Sequence, residues 1–323
     1  MSASIERSAV AIVPPDTLVW GMQVPVAAQS ASFVQPWERT AGTDEMRRVA
    51  EACDRNGCFY LAVSDHVCVP RSHAEVMSTT WYDAVATLGF LAAATRRVRL
   101  LSYVWVAPYR HPLVTAKAFA SLDALSGGRV ILGVGAGHLQ AEFAALGVDF
   151  ARRGALLDEA IDLVTAAFID EYPQHDGPTW PVRDLGLRPR PVQKPRPPIW
   201  IGGSTKAAMR RAAERGDGWL PQGVPEMGMP AAIALITEHR ARTRGDAPIE
   251  IGMNAPWLYV GRPAFDVGPN TRSGTPAELA QIFHGIKRLG VQHCGVRFRS
   301  RSCDELIEQI EAFAREVAPL INA

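Results

Sequence analysis

Cysteine is scarce in this 323-residue chain, and none of its five copies (Cys53, Cys58, Cys68, Cys294, Cys303) stands in a CxxC pair. That spacing supplies neither a disulfide framework nor a zinc ribbon, so reduced and mostly buried thiols are expected. No apolar run approaches the roughly 20 residues that span a bilayer, and the first residues carry Glu6 and Arg7 where a signal peptide has an apolar core. The chain therefore reads as cytoplasmic, with no membrane partner. An excess of one charge is missing too: 34 basic residues face 33 acidic ones, a balance with no field to steer nucleic acid. There is also no GxSxG elbow, no P-loop and no HxH pair, which removes the usual parts of nucleophilic hydrolysis and of metal catalysis; no metal site is expected.

What the chain does have is a rhythm. Residues 1–17 show no periodicity and are expected to form a loose leader, with 18–323 as one domain. "LVWGMQVP" opens the first strand-like run, followed by a helical stretch at 43–56, a strand at 58–64, a helix at 80–95 and a strand at 98–106. Pro112 suits the first turn of a helix over 112–125, and "GGRVILGVG" follows as a glycine-flanked strand. A helix at 153–168, then "PPIWIGG", "DGWLP", "IEIGMNAPWLYVG" and "VQHCGVRF", with helices between and after them, complete eight strand–helix units. Strands of near-continuous apolar character are buried on both faces, and eight such units predict an α/β fold, a closed (β/α)8 TIM barrel. Residues 170–197, with seven prolines, break the pattern as an insertion before the fifth strand.

In such a barrel the chemistry sits where the strands end, which sorts the candidates. Asp65 and His66 follow the second strand: either a polar pair at the mouth, with His66 able to move a proton near neutral pH, or a solvated loop whose Asp caps backbone amides. The third strand exits through Ser102, Tyr103, Val104 and Trp105, the last either wall or core, while Arg110 and His111 read as a helix-start loop. The fourth exits through "GVGAGHLQAEF", where Gly133, Gly135 and Gly137 admit a ligand close to the backbone or simply make a tight turn. It is no dinucleotide fingerprint, since that needs glycine at His138 or Gln140. After the fifth strand, Gly202, Gly203, Ser204 and Thr205 precede a helix whose amides favour an anion, although Ser204 can equally be an N-cap. The insertion's Arg183, Arg188, Arg190, Lys194 and Arg196 read either as a solvated arm or as a partner for an acidic cofactor tail.

The stretches "VSDHVCVPR", "ATRRVRLLSYVWVAPYRHPLVTAKAFASLDALSGGRVILGVGAGHLQAEFAALGV" and "PPIWIGGSTKAAMRRAAERGDGWLP" together resemble the luciferase-like flavin and deazaflavin oxidoreductases, in particular their coenzyme F-420-dependent branch. The resemblance runs from about Leu18 to the C-terminus and implies a flat coenzyme ring at the strand exits with a substrate pocket above it. It places Asp65 and His66 beside the ring, His66 as acid or base, and puts a non-prolyl cis peptide between Tyr103 and Val104. Ser102, Tyr103 and Val104, then Gly135, Ala136, Gly137 and His138, then Gly202, Gly203 and Ser204 become the cofactor-binding segments. His138 stands where relatives commonly carry tryptophan or a proton-donating glutamate, so it either takes the acid role or shapes the pocket. The implied activity is hydride transfer between the deazaflavin and a small organic substrate, by a homodimer. An FMN-dependent monooxygenase and a non-catalytic flavin- or deazaflavin-binding protein are the alternatives.

Overall fold

The computed structural model describes residues 10–323. Ten strands are present among them: β1 Val19–Gln23, β2 Tyr60–Val63, β3 Arg99–Ser102, β4 Trp105–Val106, β5 Val130–Gly135, β6 Ile199–Gly202, β7 Gly218–Leu220, β8 Glu250–Val260, β9 Thr271–Gly274 and β10 His293–Phe298. Eight of them form a closed ring in the order β1-β2-β3-β5-β6-β7-β8-β10, and the pairing of β10 with both β8 and β1 shuts it. Every ladder is parallel, as burial on both faces requires. The expected (β/α)8 barrel is what forms.

Around the ring lie α1 Thr43–Arg55, α2 Ala74–Met77, α3 Ala84–Ala94, α4 Pro112–Ser126, α5 Gln140–Ala145, α6 Arg153–Ile169, α7 Lys206–Arg215, α8 Met229–Arg244, α9 Pro276–Arg288 and α10 Cys303–Ala312. Their boundaries follow local chemistry. The helix expected from 80 starts at Ala84 because the Asp83 side chain accepts from the Ala86 amide at 2.8 Å. In α9, Thr275 and Glu278 form a reciprocal capping box. The single strand expected over 98–106 is two, β3 and β4, separated by a cis peptide between Tyr103 and Val104. The polar loop expected after the seventh strand contains β9, which pairs with the far end of β8; α2 and α5 also went unforeseen.

Two apolar layers hold this together. Inside the barrel Tyr60, Leu101, Ile131, Trp200 and Leu220 interlock, while between sheet and helices Met46, Phe119, Leu157, Phe283 and Phe313 belong to one continuous core. Four of the cysteines are buried and Cys68 is exposed, all of them free thiols. At the N-terminal end of the barrel Asp217 accepts from both Arg196 nitrogens and from the Val10 amide, and Glu250 accepts from the amides of Ile12 and Val13. Of the leader expected to be loose, residues 1–9 lie outside the described residues, and Val10–Val13 are pinned across the barrel floor by these carboxylates.

The 170–197 insertion is tied down as well. Glu159 of α6 accepts from the amides of Thr179 and Trp180, and His175 bridges to Val182. Its cations are engaged: Arg183 with Asp176, Arg188 with Glu171, Arg190 with the Ile169 carbonyl, Lys194 with the Pro191 carbonyl, and Arg196, buried, with Asp217. Arg196 is thus a buried structural cation and no part of an exposed arm, whereas Arg183 and Arg188 are exposed and paired at the surface.

Close backbone approach fixes particular glycines. A Cβ on Gly133 would lie 2.0 Å from the Ser102 carbonyl oxygen, whereas one on Gly89, mid-helix in α3, meets nothing within 4 Å. Gly133→Ala is expected to lower unfolding free energy by about 2–3 kcal/mol through forced backbone shifts, and Gly89→Ala to raise it by up to about 1 kcal/mol; urea denaturation of the two variants checks both signs.

Candidate functional site

The mouth of the barrel is organised by two buried carboxylates. Asp65, directly after β2, is 3% exposed. It takes a two-pronged ion pair from Arg110 (Nη1–Oδ2 2.7 Å, Nη2–Oδ1 2.9 Å) and the Val106 amide at 2.9 Å. Both oxygens are therefore used to fasten the β2 exit to β4, which makes Asp65 a positioning residue and not the ring contact or catalyst anticipated. Arg110 in turn stacks on Trp105 at 3.6 Å, and Trp105 is core, its indole donating to Thr115. His111 caps α4 by accepting from the Leu113 amide.

The second carboxylate, Glu142 in α5, was not singled out from the sequence. Fully buried, it accepts from the Val67 amide (2.5 Å), the Cys68 amide (3.2 Å), the Tyr109 hydroxyl (2.7 Å) and lies 3.0 Å from His66 Nδ1. Burial pushes its pKa up, but the hydrogen bonds from His66, Tyr109 and Val67 outweigh that and hold it below the ordinary value. Burial and the bond to this carboxylate push the Tyr109 hydroxyl well above its ordinary pKa, so it stays a donor. An ionised Glu142 makes Nδ1 of His66 the protonated nitrogen, which leaves Nε2 free to take up or release a proton. The imidazole is further held edge-on by Trp81 (4.5 Å between centroids) and His138 (5.6 Å). A sequence signal for Glu142 existed: it is the one acidic residue between Gly133 and Val148, and a carboxylate in so apolar a segment needs a partner.

His138 stands exposed at the rim beside His66. Burial of part of its ring, and then repulsion from His66, lower its pKa, which keeps it neutral at pH 7. Ser102, by contrast, is fully buried; its hydroxyl donates to the Gly133 carbonyl (2.9 Å) and accepts from the Gly133 amide (3.1 Å). It stitches β3 to β5, with its one donor spent on the Gly133 carbonyl and its side chain fully buried.

The expected non-prolyl cis peptide is present at Tyr103–Val104. Val104 is consequently set between two glycine backbones: a Cβ on Gly135 or on Gly202 would each fall 2.5 Å from a Val104 methyl. Gly137, at φ +78°, would place a Cβ 2.7 Å from Val106, so its glycine serves the seating of α5. Half-buried Ala136 lies between these two glycines. Gly203 has φ +116°, and Ser204 locks the loops after β6 and β7 by accepting from the Gln222 amide and donating to its carbonyl. Thr205, not Ser204, caps α7. Half-buried Val104 thus packs its methyls against backbone that only glycine at 135 and 202 leaves bare, which keeps this side of the mouth low and free of larger side chains at those two positions.

Another side is polar, and of its residues only Tyr103 was singled out from the sequence. Gln23 of β1, Tyr103, Asn254 of β8 and Arg297 of β10 line adjoining cavities, the larger about 500 Å³ including its solvent-open part. Asn254 donates to the Tyr103 hydroxyl (3.0 Å), which donates to the Pro221 carbonyl (3.1 Å).

Residues 22–262 match the family model for luciferase-like monooxygenases, and the chain belongs to that family. It is 36% identical over 174 residues to the F420-dependent glucose-6-phosphate dehydrogenase of Microbacterium testaceum, covering 51% of each chain. It is 27% identical over 242 residues to the FMNH(2)-dependent dimethylsulfone monooxygenase of Pseudomonas putida, covering 74% of this chain and 62% of that one. The chain spans about half the length of the curated relatives it matches at highest significance. Among solved structures, monooxygenase RslO1 from Streptomyces bottropensis superposes with a TM-score of 0.75 at 20% identity over 93% of this chain and 99% of the other, a likeness of fold. Family relatives thus include both deazaflavin- and FMN-dependent oxidoreductases. Among the described residues no helix is long and apolar enough to cross a membrane.

Glu142→Gln preserves shape while removing the charge that Tyr109, His66 and two amides address. It should cost about 1.5–3 kcal/mol at pH 7. Because the native pKa is depressed, wild-type stability from this group is present above its ordinary 4.5 and is lost as pH falls through the lower native value. Urea titrations at pH 7 and at steps below pH 4.5 should therefore show the stability gap between the wild type and Glu142→Gln narrowing as pH falls.

Proposed function

We propose that the protein is a coenzyme F-420-dependent oxidoreductase that moves a hydride between the deazaflavin and a small organic substrate. The observation that carries this reading is the convergence, on one rim, of the Val104 floor with the Glu142-oriented His66. When bound, the coenzyme would supply the hydride chemistry. The chain's own residues do the rest. Val104, with the bare backbone of Gly135 and Gly202 beside it, would support the ring face, and the N-terminal amides of α7 would favour an anionic tail. Glu142 fixes the His66 tautomer so that Nε2 is the proton-transfer atom, while neutral His138 narrows the entrance beside it. Holding ring and substrate in one mouth makes the transfer effectively unimolecular.

The higher identity to the F420-dependent dehydrogenase favours the deazaflavin; the longer match to the FMNH(2)-dependent monooxygenase favours the second reading, FMN-dependent oxygenation at the same rim. A binder without turnover has no such observation behind it. We further propose a homodimer formed through α3 and the turn before it, where Tyr82 and the outward stripe Ala86, Phe90 and Ala93 are exposed and largely apolar.

Fluorescence titration with F-420 and with FMN separates the readings: F-420 is expected to bind at least about tenfold tighter, and the reverse order establishes the FMN alternative. With F-420 bound, His66→Ala should lower kcat by about 10²–10⁴ while leaving the coenzyme Kd within about threefold. Unchanged turnover would remove His66 from the chemistry.

A further inference from the structure

The polar half of the mouth holds a charge that the reading above leaves unused. Arg297 follows His293 and Gly295 at alternate positions of β10, the spacing that turns one face of a strand toward the barrel lumen. It borders both the larger cavity and the smaller one lined by Tyr60, Tyr103 and Asn254. Its neighbours do not neutralise it. One nitrogen donates to the neutral Gln23 side chain, and the rings of Phe33 and Trp257 approach the guanidinium at 5.0 and 5.8 Å. No carboxylate among the described residues comes within the 4.0 Å of an ion pair. Burial lowers its pKa, yet a guanidinium remains charged.

Glu38, which lines the same cavity, acts on Arg297 only through space. Its two oxygens accept from the Val26 and Gln35 amides at 3.1 and 3.0 Å, so it caps the local turn, and burial pushes its pKa up. A cation withdrawn from water with no carboxylate in hydrogen-bonding contact is costly, and the cost falls when an anion docks on it. The planar fork of arginine matches a carboxylate with two parallel hydrogen bonds. The lining around it is mixed: Gln35, Glu38 and Ser64 are polar, while Val24, Ala27, Phe33 and Trp257 give an apolar wall, with Arg299 stacked on Trp257 at 3.9 Å.

We propose that Arg297 anchors a carboxylate on the substrate, so that the enzyme acts on small organic acids whose apolar body lies against Phe33 and Trp257. This rests on the barrel mouth being the active site, but the anion site itself exists without any coenzyme. The test therefore uses coenzyme-free protein. Benzoate, cyclohexanecarboxylate and the neutral benzamide are titrated against wild type, Arg297→Met and Arg297→Lys by ligand-observed NMR, with a parallel F-420 titration of each and thermal melting to confirm folding.

The wild type should bind at least one of the two acids at least about tenfold tighter than benzamide. Arg297→Met should erase that preference, and Arg297→Lys should retain part of it, keeping the charge without the fork. F-420 affinity should change by less than about threefold across the set. Equal binding of acid and amide by the wild type, no binding of either acid, or a preference that survives in Arg297→Met overturns the proposal. So does a fall in F-420 affinity of about tenfold in Arg297→Met, which would assign the guanidinium to the ring edge. Should Arg297→Met fail to fold, the wild-type and Arg297→Lys comparisons decide. Selective acid binding in a wild type that ignores both F-420 and FMN would leave the anion site standing and defeat the coenzyme reading instead.

Discussion

A carboxylate removed from water stays ionised only where donors surround it, and Glu142 gathers such donors from two parts of the chain distant from its own helix. Amides and the imidazole come from the loop after β2, the hydroxyl from the turn after β4, and the carboxylate itself from α5. Asp65 does the same work alongside, drawing Arg110 and the Val106 amide onto the β2 exit. Two buried charges thus staple three consecutive strand exits into one rim. Without them the loops would have only their own short hydrogen bonds, and His66 would have no fixed tautomer. The geometry of the mouth is a consequence of this electrostatic constraint more than of the barrel ladders beneath it.

The barrel divides its polar chemistry by height. At the N-terminal end Asp217 pairs with Arg196 and takes the Val10 amide, while Glu250 takes the amides of Ile12 and Val13 and the Trp200 indole. At the C-terminal end the polar groups are less completely paired: Arg297 borders both cavities with no carboxylate in ion-pair contact among the described residues. Between the two ends lies an apolar plug of Tyr60, Leu101, Ile131, Trp200 and Leu220. Stability is concentrated at the closed end and reactivity at the open one, the division expected of this architecture.

The barrel itself was legible because its strands are apolar on both faces and its glycines and prolines punctuate the units. The three segments expected at the rim do meet there, for a local reason: each sits just past a strand end. Individual roles were less legible. Asp65 and His66 are adjacent and look alike in sequence, but one is consumed by Arg110 and the other is turned toward Glu142, 76 positions away. Ser102 reads as a polar group at a strand exit, yet its hydroxyl is absorbed by Gly133. The glycines at 135 and 202 read as ligand hinges, whereas their first obligation is to the methyls of Val104. Gln23, Asn254 and Arg297 were invisible as a group because only closure of the ring brings β1, β8 and β10 side by side. Pairings at long sequence separation leave no periodic trace.

The central claim is that a flat redox coenzyme lies on Val104, between Gly135 and Gly202, with His66 at its edge. A crystal structure of the protein with F-420 bound measures this directly. The account predicts the ring plane in van der Waals contact with the Val104 side chain and His66 Nε2 within hydrogen-bonding reach of the ring or of a substrate analogue above it. A ring seated elsewhere, or one separated from His66 by the wall of the barrel, would contradict it.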